Sequence, residues 1–145
     1  MLRKLGIIAV LSFMVVALAA APALARNPHT LPNEGIVCTT VQVQGDPAVQ
    51  CSGSIAGLGS ADQVIIQIDA SLACETRQGN NQPGGHLQAT TEPIDVESGR
   101  VNFDETTTAA ECPPGLNPVV GETATVSVLD AATGEVLFSE EVPIT

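Results

Sequence analysis

Residues 63–75 read QVIIQIDASLACE, and the fold turns on how their apolar positions are spaced. Val64, Ile66, Ile68, Ala70, Leu72 and Cys74 recur every second residue, while Gln67, Asp69, Ser71 and Glu75 occupy the alternate positions. Successive side chains leave a pleated backbone in opposite directions, so this pattern predicts a half-buried strand of an antiparallel sheet. It also places the Cys74 sulfur on the core side.

The same alternation extends outward in both directions. It predicts strands over 36–44, 49–57, 87–96, 100–107, 122–129 and 135–142, which with 63–75 makes about seven. Turn signals separate them, among them Gly45-Asp46-Pro47, Glu97-Ser98-Gly99 and Asp130-Ala131-Ala132-Thr133-Gly134. Past the first 25 residues nothing follows a helical period. Short strands at this spacing predict an all-β domain, an immunoglobulin-like antiparallel β-sandwich over 35–145, with an open barrel as the alternative. Trp and Tyr are absent, so Val, Ile, Leu and Ala must fill the core, with Phe103 and Phe138 as its only aromatic bulk.

The N-terminus has a different character. Basic Arg3 and Lys4 precede an apolar run from Leu5 to Ala21, and Ala23-Leu24-Ala25 forms a small-x-small cleavage site. This is the build of a secretory signal peptide over 1–25. A retained anchor is the alternative, because the run approaches the roughly 20 residues that span a bilayer; Pro22 and the cleavage site argue for removal. Residues 26–34, with two prolines and no periodicity, are expected to form a flexible leader.

Removal of the signal leaves Arg26, Arg77 and Arg100 as the basic residues against 16 acidic ones, a balance more negative than the −11 of the whole sequence. Nucleic acids and anionic lipids are bound through clustered Lys and Arg. Neither is an expected partner, and no membrane association is expected after cleavage. The acids are spread along the chain, as on a solvated surface; a saline habitat would favour the same composition.

All four cysteines, Cys38, Cys51, Cys74 and Cys112, follow the signal. An even count in an oxidising compartment predicts two disulfides with three possible connectivities. Pairing Cys38 with Cys51 would couple neighbouring strands, and Cys74 with Cys112 would close the longest loop region; Cys38 with Cys112 and Cys51 with Cys74 is the main alternative. The wide spacings lack the C-x-x-C pairs of a zinc site.

Candidate chemistry is sparse. CSGSIAGLG at 51–59 carries Gly53, Gly57 and Gly59 but leads into another strand. With no following helix and no Lys it cannot cradle phosphate, and it reads as a strand with close backbone approach ending in a turn. A Ser-His-Asp arrangement could be built only on His86, which follows Pro83-Gly84-Gly85 and is expected in an exposed loop. Asp104/Glu105 and Glu140/Glu141 are strand neighbours on opposite faces, so neither pair can share a proton or flank a glycosidic bond. Calcium, held by loop carboxylates and carbonyls, could use Asp130 to Glu135, Asp62 or Asp95, although the first of these is foremost a hairpin turn. The loops 77–85 and 111–118 would meet at one end of the domain if Cys74 pairs with Cys112, and could present Leu116 to a partner, although a covalently anchored crossover with no binding role is the favoured reading.

Ala56-Gly57-Leu58-Gly59, the alternating strand ending at Ala73-Cys74, Gly84-Gly85, Pro93-Ile94 and Cys112-Pro113-Pro114-Gly115 together resemble a group of small secreted disulfide-containing β proteins of bacteria and fungi. The similarity spans about residues 50–142. It implies an exported, disulfide-linked β domain and brings no catalytic residue.

The expected function is therefore that of a secreted, non-enzymatic β-sandwich. It would serve as an extracellular structural or interaction domain for an unknown protein or surface partner, with no cofactor, metal or catalytic residue assigned. A calcium-binding module and a small protease-inhibitor-like protein are the alternatives.

Overall fold

The computed structural model describes residues 27–145; the expected signal peptide lies outside the described residues. These contain strands β1 (His29–Thr30), β2 (Val37–Val43), β3 (Asp46–Ala56), β4 (Gln63–Glu75), β5 (Asn81–Thr90), β6 (Ile94–Asp95), β7 (Val101–Thr106), β8 (Asn117–Asp130) and β9 (Val136–Pro143). They form two antiparallel sheets, one of four strands and one of five. Residue pairing fixes their layout. Cys51 faces Cys38 on one side and Glu105 on the other, and Ile55 likewise faces Thr30 and Val101. Hence β1 and β2 lie end to end along one margin of β3, with β7 on the other. In the second sheet, Val64 faces both Ile94 and Asp130, so β5 and β6 share one margin of β4, followed on the other side by β8 and β9.

The fold is a β-sandwich. Its two inner faces are the apolar positions read from the alternation: Cys38, Val49, Cys51, Ile55, Val101 and Phe103 from one sheet, and Val64, Ile66, Ile68, Leu72, Leu87, Val126 and Val128 from the other, all buried. Burying Val or Ile side chains of this kind contributes roughly 1.5–3 kcal/mol each. The long strand β4 has the bounds its alternation predicts and pairs along most of its length on both sides.

Two devices join the sheets. The crossover from β7 to β8 runs along both: Thr107 and Ala110 donate backbone N–H groups to Val49 and Pro47 of β3, and Thr108 donates to Gln88 of β5. The buried Thr107 hydroxyl in turn accepts from the Val49 N–H at 3.0 Å. At the opposite margin the chain leaves β9 and bridges to β2. Ile144 N–H donates to Glu122 of β8, Thr145 N–H donates to Cys38, and Thr40 N–H donates to Thr145.

Two disulfides are present. Cys38–Cys51 links directly opposed residues of β2 and β3 with Cα atoms 4.1 Å apart. Cys74–Cys112 ties β4 to the crossover, with Cα atoms 5.7 Å apart.

β3 starts at Asp46, so Asp46 and Pro47 of the expected turn already pair with β2, and the structure departs from the sequence reading at four further places. The described part of the leader is not a free tail: His29 and Thr30 pair with Ala56 and Ile55, and Asn27 N–H donates to the Gly57 carbonyl. Gly57, at φ +74°, is required there, because a Cβ would collide with the Asn27 carbonyl. The strand expected over 87–96 is interrupted after Thr90 by Thr91-Glu92-Pro93; Thr91 keeps the ladder intact by accepting from Ile66 N–H through its hydroxyl and donating its own N–H to the Ile66 carbonyl, both at 3.0 Å. β5 begins at Asn81, so most of the expected loop 77–85 is strand. Finally, β8 starts at Asn117, before the expected 122, and a register shift opposite Ala70 to Leu72 separates its two halves.

Candidate functional site

The residue pairing of β4 and β5 gathers the most chemically suggestive side chains. Ser71 lies opposite His86 and Asp69 opposite Gln88, all on the outer face of the second sheet. His86 Nδ1 is 2.8 Å from Asp69 Oδ1, and Gln88 Nε2 donates to Asp69 Oδ2 at 2.7 Å. Partial burial pushes the Asp69 carboxyl upward, but the hydrogen bonds from Gln88 and His86 and the attraction of the imidazole outweigh it and hold the group below its ordinary value. His86 is thus a strand residue with a carboxylate on one ring nitrogen, not the loop residue that Pro83-Gly84-Gly85 suggested.

A hydrolytic triad needs that imidazole to reach a nucleophile and needs donors around a developing oxyanion. Ser71 turns away: its hydroxyl points at β8, where it would collide with a Cβ on Gly121. The glycine and the local register shift make room for it. The His86 side chain is 59% exposed, on the outer face of the sheet, and the neighbouring Gln88 amide is spent on Asp69. What the sequence concealed here was the hairpin register; alternation alone already put Asp69 and Ser71 on one face.

The calcium candidates are only partly assembled. Asp62 and Asp130 both line a cleft of about 380 Å³ with Ser60, Gln63 and Pro93. Asp130, however, is buried and closes its own turn, accepting from the N–H groups of Ala132 and Thr133. Asp95 accepts from Gln63 Nε2 at 2.8 Å. Among the described residues no three acidic, His or Cys side chains come together as metal ligands. The paired acids are likewise occupied at the surface: Asp104 accepts from Gln50 and Glu141 from Thr123.

The remaining candidate is the end of the sandwich where β4 finishes. Glu75 faces Asn81 on one side and Asn117 on the other, so the 76–80 hairpin and the 113–116 turn flank the same strand end. Both are internally closed. Thr76 N–H donates to Asn80, Gly79 N–H donates to Thr76, and the Thr76 hydroxyl accepts from Asn80 N–H. Leu116 N–H donates to the Pro113 carbonyl around Pro114-Gly115, with Gly115 at φ +87°; proline followed by a left-handed glycine suits a type II turn. Arg77, Gln78, Asn80 and Pro113 to Gly115 are exposed. Leu116, expected as the presented residue, is half-buried at the return of the turn, and the tip is Pro114-Gly115.

No family model matches the chain, and no curated protein matches it. A crystal structure of Bacteroides uniformis beta-glucuronidase is similar over 79% of this chain and 14% of that one, with a TM-score of 0.46 and 11% identity. This chain therefore spans about 14% of that enzyme's length. Neither a site nor an activity carries across at that level.

Proposed function

We propose that this is an exported, non-catalytic extracellular binding domain of the same general kind as the small secreted β proteins it resembles. Its partner would engage the sandwich end formed by residues 76–80 and 112–117. The observation that carries this reading is the coupling of two internally hydrogen-bonded, exposed turns through one disulfide, Cys74–Cys112. Groups ordered before association lose little conformational freedom on binding, which favours affinity. Two disulfides suit an oxidising compartment, and the sparse cations argue against polyanionic partners. The open placement of Asp69 and His86 supports a surface role for them over a catalytic one.

The test is site-specific photo-crosslinking in the exporting cell, with a reactive side chain at Gln78 or Asn117 and a control at Ala132 on the opposite end. Partner adducts are expected from the first two positions. Equal adducts from Ala132, or turnover in a broad hydrolase screen that His86→Ala abolishes, would overturn the proposal.

A further inference from the structure

The two disulfides stand in different surroundings. Cys38 and Cys51 are both 0% exposed, locked between opposed residues of β2 and β3 in the core. Cys74 is also buried, but its partner Cys112 is half-buried, in a crossover outside both sheets. Beside that crossover lies a hollow of about 360 Å³ lined by Gly84, His86, Leu87, Thr108 and Glu111, the last adjoining Cys112. Thiol-disulfide exchange requires a thiolate to reach a sulfur in line with the bond it breaks, so access sets which bond reacts.

We propose that Cys74–Cys112 is a reversible, thiol-addressable staple and Cys38–Cys51 a permanent one. Reduction of the first would release the segment 111–116 while leaving the two sheets assembled. The chemistry needs an external dithiol, either a small molecule or a dithiol oxidoreductase. One thiolate of the dithiol attacks the Cys112 sulfur, a mixed disulfide forms, and Cys74 departs as a thiolate. The second thiol of the reductant then resolves the mixed disulfide, freeing Cys112. The protein gains two electrons, the dithiol becomes a disulfide, and the two protons that the dithiol gives up, exchanged through solvent, neutralise the Cys74 and Cys112 thiolates.

The part of the crossover before Glu111 is held independently of this bond: Thr107 and Ala110 are buried, and the Thr107 hydroxyl accepts from Val49 N–H. Thr107, Thr108 and Ala110 each donate a backbone hydrogen bond, and all three lie before Glu111. From Glu111 to Leu116 the covalent link is the tie to β4, since the turn hydrogen bond of Leu116 is internal to the segment. Breaking the link therefore loosens the Pro113-Pro114-Gly115 tip from the 76–80 hairpin, with Cys112 itself as the residue of 111–116 that leaves the core margin. As a control on partner binding, this inference rests on the function proposed above.

The test begins with oxidised protein titrated with dithiothreitol, quenched in acid, alkylated and mapped by mass spectrometry. A species alkylated at Cys74 and Cys112 alone is expected, forming at least tenfold faster than the fully alkylated one. Limited proteolysis of that species should cut within 111–116 while the far-ultraviolet dichroism stays that of a β protein. Alkylation of Cys38 and Cys51 first, all four together, or loss of the β spectrum in the two-thiol species would overturn the proposal. Crosslinking from Asn117 separates the two ideas: adducts in both redox states refute the control but not the binding end, and adducts in neither refute the binding end while the alkylation order still decides the staple.

Discussion

Replacing Cys74 and Cys112 together by alanine is the most quantitative probe of how this thin-cored domain is held. In the chain-entropy view a cross-link stabilises by restricting the unfolded ensemble, more so for longer loops. The sequence separation is 38 residues, for which the relation gives about 4 kcal/mol at 25 °C. Cys112 is only half-buried, so loss of its sulfur adds little, whereas the buried Cys74 sulfur packs against Gly84 and its removal leaves a small void there. The expected loss is therefore about 3–5 kcal/mol, a large part of the roughly 5–15 kcal/mol typical of a native domain. Urea unfolding of oxidised wild type and the double variant, followed by circular dichroism, measures it as a shift of midpoint at similar slope. A loss below about 1 kcal/mol would refute the reasoning, because the cross-link would then not restrict the unfolded ensemble as that relation requires.

Other perturbations test other joints. Deleting Ile144 and Thr145 removes three backbone hydrogen bonds that join β9, β8 and β2 and a half-buried isoleucine, for an expected loss of about 3–5 kcal/mol in the same assay. Gly57→Ala places a methyl group against the Asn27 carbonyl at a left-handed backbone position; it should lower the melting temperature and raise hydrogen exchange at Asn27, whereas an unchanged melt would refute the close approach. Asp69 has a lowered folded-state value, so its contribution is complete above the ordinary carboxylate range near pH 4 and is lost as pH falls through the depressed value. Asp69→Asn should accordingly lose stability at neutral pH and show a flatter acid limb in a pH series of melts. Millimolar calcium is expected to leave the melting temperature unchanged, since Asp130 is engaged in its turn and Asp95 with Gln63; a mass-action rise would revive the calcium reading.

The sandwich was legible where alternation ran unbroken. From Gln63 to Glu75 every inward residue of the pattern is buried and every outward polar one faces solvent or a surface partner. Legibility failed where tertiary context overrode composition. Asn81 to Gly85 reads as a loop, yet the Thr76 to Asn80 hairpin folds it onto β4, and its place at the sheet margin tolerates Pro83. In β8 the same even positions turn inward in both halves, Val120 opposite Leu72 and Ala124 opposite Ala70, but Pro118, Gly121 and the register shift between the halves break up the apolar pattern of the first. Thr91 and Thr107 repair the ladders with their hydroxyls, a role that composition does not encode. The Asp69 to His86 pair was hidden for the same reason as β5: faces can be read from one strand, but register requires two.

The distribution of arginine relative to Cys74–Cys112 has a practical consequence. Past residue 26 the chain offers trypsin only Arg77 and Arg100, both exposed and each in or beside a turn. Cutting at both would free the peptide 78–100, which contains no cysteine, while the flanking pieces remain one covalent body through Cys74 and Cys112. The excised peptide carries β5 and β6, so a nicked molecule could shed or exchange one margin of its second sheet and keep the rest, giving a ready route to a split, complementable form of the domain.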